Sequence, residues 1–280
     1  VSLVLALAGW LGASVAALAQ GDVPDRDGVA ATATYADLVT LAERSDMVIR
    51  ARIRDQIQLP PERAPGLAPG FARLYIEAET TALIAGTTPV GEELTYLVDV
   101  PLRENGKAPR IAGLEMLLFA RPVAGRRGAI QLTGQPAQFP YSEALETRLR
   151  PILTELVGGN PPPRITGIGN ALAVPGTLAG ESETQIFLTT DSGSPVSLTV
   201  LRRPAQPPVW GVSWGEIVDS AAKPPAPESL RWYRLACALP EELPADVNLA
   251  RDPEARRLAE RDYALVREQL GACRRSLTRG

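Results

Sequence analysis

Between residues 181 and 219 the chain reads ESETQIFLTT, DSGS, PVSLTVLRR, PAQPP and VWGVSWGEIVD in succession. Three β-rich runs separated by two clusters of turn residues predict an antiparallel meander. In the second run Val196, Leu198 and Val200 alternate with Ser197, Thr199 and Leu201. In the third, Trp210, Val212 and Trp214 alternate with Gly211, Ser213 and Gly215. Successive strand side chains point to opposite faces, so each run should present one apolar face and one polar or small one. An exposed Trp210–Trp214 row would offer a stacking platform to a sugar ring or a peptide, and a buried one would be core. With Glu216 beside them, these residues are the candidate binding group.

Upstream, Thr34 followed by Asp37 marks a helix start for YADLVTLAERS. Met47, Ile49, Ala51 and Ile53 then alternate with Val48, Arg50, Arg52 and Arg54, a strand with a basic outer face. Further strands are predicted around 74–84, 94–100, 115–120 and 129–133, with Asn105-Gly106 and the GRRG sequence at 125–128 as tight turns. Several strands in succession without an intervening helix predict a small antiparallel barrel or sandwich. A helix follows at SEALETRLRPILTELV, with Leu145, Leu149, Ile152 and Leu156 on one face and Pro151 expected to kink or divide it. The Pro-rich segments at 158–163 and 221–227 read as linkers.

The runs SDMVIRARI from Ser45, LYIEAE from Leu74 with LIAG from Leu83, the strand from Leu94 to Val100, and MLLFA from Met116 resemble bacterial exported OB-like barrels. These are similar in strand order to the netrin and metalloproteinase-inhibitor module, and the resemblance covers about residues 45–133. It implies a closed barrel. The N-terminal cysteines through which that group's inhibitors act have no counterpart here, so inhibition of a secreted enzyme rests on the resemblance alone.

The expected fold is mainly β with accessory helices (α+β): a small antiparallel barrel, a second antiparallel β unit and a C-terminal disulfide-tied helical hairpin. Residues 1–19 read as a signal peptide, uncharged and apolar, with Ala17-Leu18-Ala19 before Gln20 as the cleavage pattern. A lead-in and short helix occupy 20–45, the OB-like barrel with its C-terminal helix 46–157, the second β unit 164–220, and the hairpin 228–280. The expected location is periplasmic or secreted, with no integral membrane span after cleavage. The only two cysteines, Cys237 and Cys273, lie on the apolar stripes of two predicted helices and are expected to pair. The second stripe is Ala255, Ala259, Tyr263, Val266, Leu270, Cys273 and Leu277.

A net charge of −3 gives no reason to expect nucleic acid as a partner. The chain has no histidine, which excludes Ser–His–Asp and Cys–His nucleophile systems and any His-ligated metal. Lys107 and Lys223, the only lysines, lack Ser-x-x-Lys spacing. The GxG at 167–169 has neither a following Lys nor a helix start, so no phosphate loop is read there. No cofactor, metal site or catalytic residue is predicted. Carboxylate-pair hydrolysis remains open, with Glu181, Glu183, Asp191, Glu216 and Asp219 as candidates. The preferred expectation is a non-catalytic exported envelope protein that binds or scaffolds an envelope protein or peptide. The alternatives are a carboxylate-based exported hydrolase and the inhibitor reading.

Overall fold

A computed structural model describes residues 33–217 and 222–277. The expected signal peptide, the lead-in up to residue 32, and Asp219 lie outside these residues. Helix α1 (Tyr35–Arg44) starts where the Thr-x-x-Asp spacing places it. Asp37 N donates to Thr34 Oγ1 at 3.2 Å and Thr34 N donates to Asp37 Oδ2 at 3.0 Å. This reciprocal cap satisfies backbone donors that a helix end otherwise leaves unpaired.

Six strands follow: β1 (Met47–Gln58), β2 (Phe71–Gly86), β3 (Glu93–Pro101), β4 (Glu115–Pro122), β5 (Ile130–Leu132) and β6 (Gln138–Pro140). They form an antiparallel sheet in the order β3-β2-β1-β4-β5, with β6 also on β4. One face buries Ile49, Ile53, Leu74, Ile76, Leu94 and Leu118 in a core of their own. On the other face of β1 the basic row is neutralised, with Arg50 and Arg52 paired to Glu115 and Arg54 to Glu79.

The sheet is open, and the expected barrel is thereby corrected. Closure needs a ladder between β3 and the far edge, since every strand of a barrel is paired on both sides. Among the described residues one isolated bridge, Thr95 with Ala129, joins them. Strand β5 is three residues long and the turn before it brings Gly128 to β3, so Thr95 N finds the Gly128 carbonyl at 2.8 Å and pairing ends there. The resemblance to OB-like barrels therefore fails at the level of fold. Hydrophobic alternation identifies strands, but it does not say whether the first and last of them meet.

The second sheet is the meander preceded by one more strand: β7 (Ile165–Pro175), β8 (Ser182–Thr190), β9 (Val196–Arg202) and β10 (Val209–Ser213), in the order β10-β9-β8-β7. Its inner face buries Ala171, Ile186, Leu188, Leu198, Val200, Trp210 and Val212. The outer face differs from the expected polar surface over β9 and β10, where Ser197, Thr199 and Ser213 are also buried. Chain returns across this face: a Cβ placed on Gly211 would lie 2.1 Å from the Ala222 carbonyl oxygen. Glycine at 211 is what allows that approach.

Among the described residues four α-helices complete an α+β fold. Helix α2 (Glu143–Val157) runs through Pro151 as one helix, and Leu149, Ile152 and Leu153 are its buried residues. Helices α3 (Leu230–Ala236) and α4 (Pro253–Leu270) flank the disulfide between Cys237 and Cys273. The pairing is as expected, but neither thiol sits within a helix. Cys237 is the C-cap of α3, and α4 ends at Gly271, whose φ of 73° turns the chain away before Cys273. A second core runs without interruption through α1, β4, α2, the meander, α3 and α4, so it draws residues from both sides of the 158–163 segment. Within that segment the Pro162 carbonyl accepts from Arg234 Nε at 3.0 Å. No helix among the described residues is long and apolar enough to cross a membrane.

Candidate functional site

An open cleft of about 360 Å³ lies where α1, α2, α3 and the C-terminal tail meet. Its aromatic wall is Tyr35 against Trp232, edge to face, with ring centroids 6.1 Å apart. Trp232 is fixed from behind, since its indole Nε1 donates to the Leu270 carbonyl at 2.8 Å. Its backbone N donates to the α3 N-cap, Ser229 Oγ, at 3.2 Å. Burial, and then the neighbouring Glu155 and Glu228 carboxylates, push the Tyr35 phenol well above its ordinary pKa. Tyr35 therefore stays a protonated donor at any physiological pH.

Charge enters from three directions. Arg148 comes from the exposed side of α2, Arg274 from the tail and Glu228 from the turn before α3, and all three line the cleft. Among the described residues neither arginine is in an ion pair, which is also true of other exposed arginines such as Arg63, Arg103 and Arg126, but these two line one cleft. Glu228 has a φ of 52°. A non-glycine residue in that region carries strain of order 1–3 kcal/mol, and such residues concentrate at functional sites.

The tail is held in several places. Cys273 is bonded to Cys237. Arg275 Nη1 donates to Thr40 Oγ1 at 2.7 Å, and Ser276 N donates to Asp37 Oδ2 at 2.9 Å. Leu277 packs on the large core. Burial alone would raise the Asp37 pKa, but the donors from Ser276 and Thr34 outweigh it and keep the carboxyl below its ordinary value.

The residues singled out from sequence lie elsewhere. Trp210 is buried, with its Nε1 donating to Gln269 Oε1 at 2.8 Å. Trp214 follows the end of β10, half-buried, with the Arg231 guanidinium 5.8 Å from its ring, and Glu216 is exposed. None of the three lines the cleft. The candidate acids have local contacts. Glu181 Oε2 accepts from Leu178 N, Glu183 from Gln185, and Asp191 from Arg164 N. Among the described residues no group of three or more His, Cys, Asp or Glu is placed to hold a metal. Sequence reasoning missed Tyr35, Arg148, Glu228, Trp232 and Arg274 because they come from four separated segments, each unremarkable by itself. Only the disulfide expectation pointed to this corner of the molecule.

The arrangement suits an anion with an apolar body: guanidinium groups take a carboxylate, the Tyr35–Trp232 wall takes the apolar part, and the phenol supplies a donor. The chain matches no protein-family profile and no curated protein sequence.

Proposed function

We propose that this protein is a non-catalytic binding module that takes an acidic peptide segment in the cleft. The observation that carries the reading is that Arg148 and Arg274, neither in an ion pair among the described residues, line the same cleft as Tyr35 and Trp232. A free guanidinium at a cleft rim has no partner to surrender when a carboxylate arrives, so its contact adds to binding rather than exchanging one pair for another. The strained backbone at Glu228, on the same wall, supports the reading independently. Both cysteines lie in one disulfide, which supports a working location in an oxidising compartment.

Calorimetric titration with an acetylated hexapeptide of alternating Glu and Leu, against its Gln counterpart, tests the reading. The Glu peptide should bind and be recovered intact, and affinity should fall as salt screens the contacts. The Arg148→Gln, Arg274→Gln double variant should lose affinity roughly tenfold, the sum expected of two partly exposed charge contacts. Absence of heat with either peptide would remove the reading, and a cleaved peptide would replace it with a hydrolytic one.

A further inference from the structure

We propose that the Cys237–Cys273 disulfide is a redox latch on this cleft, an inference that rests on the binding reading above. Cys273 stands between Ala272 and Arg274, both of which line the cleft, and Cys237 closes the helix that carries Trp232. The bond therefore ties one wall of the site to the other. Beyond Gly271 the tail is not helical, and among the described residues the only backbone–backbone hydrogen bond of 272–274 is the local one from Arg274 N to the Ala272 carbonyl. Further along, Arg275 reaches Thr40 Oγ1, the Ala36 carbonyl and, 5.8 Å away, the Tyr233 ring, Ser276 bonds Asp37 through its amide and its hydroxyl, and Leu277 packs on the core, so the noncovalent hold lies beyond Arg274 and not at it. Both cysteines are half-buried, within reach of a small dithiol.

Reduction is a thiol–disulfide exchange. A thiolate of the dithiol attacks one sulfur, the S–S bond breaks through a mixed disulfide, and the second thiol of the reductant displaces it. The protein gains two protons and two electrons and leaves with two thiols, while the reductant closes its own disulfide. Arg274 then loses its one covalent tie to α3, and its wall of the cleft is held only through the noncovalent contacts of 275–277.

Hydrogen exchange on the full chain, with and without dithiothreitol, reads the latch without any ligand. Reduction should raise exchange at the Ser276 amide, which is bonded to Asp37, by about tenfold or more while the β1–β4 and β8–β9 amides keep their protection. The Cys237→Ser, Cys273→Ser double variant should show the same pattern in either condition. The Glu–Leu hexapeptide, titrated in parallel, should bind the oxidised form and lose affinity roughly tenfold on reduction. Unchanged exchange in the tail overturns the latch, and so does a uniform loss of protection in both sheets, which would make the bond a global staple. A tail that opens on reduction while the oxidised protein ignores the peptide would instead defeat the binding reading and leave the latch without a ligand to control.

Discussion

Gly211 and Asp37 act at single positions in opposite ways. Gly211 is needed for what it lacks: a methyl group there would meet the Ala222 backbone at 2.1 Å, and backbone does not swing aside as a side chain can. Gly211→Ala should therefore lower stability by about 1–3 kcal/mol, the usual cost of overpacking, as read by urea unfolding. Asp37 is needed for the donors it gathers from Thr34 and Ser276. Its folded pKa is below its unfolded one, so its contribution is complete above the unfolded value of about 4 and is lost as pH falls through the folded value. Asp37→Asn should destabilise the protein at pH 7 and reduce the loss seen between about pH 5 and pH 2, measured as unfolding midpoints across that range. The Thr34–Asp37 capping box was legible in the sequence, because it is local. The Ser276 contact was not, because no spacing rule reaches across the chain.

At the scale of elements, the strands were readable from alternation and the α4 stripe from its spacing of three and four, since both patterns reflect which face is buried. Their ends were less so. The spacing of the stripe carries on to Cys273 and Leu277, but Gly271 stops the helix first. Alternation with Trp210 puts Trp214 on the strand, but β10 ends at Ser213, so the pattern has no strand to act on there. The docking of α1 on α3 depends on Glu43, which accepts from Arg234 Nη1 at 2.7 Å and from Arg164 Nε at 3.2 Å. Arg234 is 5% exposed, and removing it leaves Glu43 with the more exposed Arg164 and leaves the Pro162 carbonyl without its Arg234 donor. Arg234→Met should cost about 1–3 kcal/mol. The Glu43→Gln, Arg234→Met pair should recover part of that loss in a double-mutant cycle by chemical denaturation.

For the whole molecule, the continuous core from α1 and β4 to the meander and α4 makes the two sheets partners in one unfolding event. Phe119→Ala in the first sheet should cost about 3–5 kcal/mol and lower the melting midpoint reported by the second. Trp210 fluorescence and far-ultraviolet circular dichroism should still give coincident transitions, and separated midpoints would show that the sheets unfold apart. Were the disulfide a global staple, its loop of sequence separation 36 would in the chain-entropy model contribute about 4 kcal/mol, and the resulting loss of protection across both sheets is what separates a staple from a latch. That the first sheet stays open while the second is half covered was invisible in sequence, because both facts depend on segments meeting far from where they lie in the chain. The shared carboxylate of Asp37 has a consequence for biosynthesis. Its contact with Ser276 spans a separation of 239 residues, which a ribosome moving at 5–20 residues per second crosses in roughly 12–48 s. Throughout that interval Asp37 has its donors from Thr34 but none from Ser276. A chaperone or a translocation channel that handles this protein meets the helix before its final partner exists.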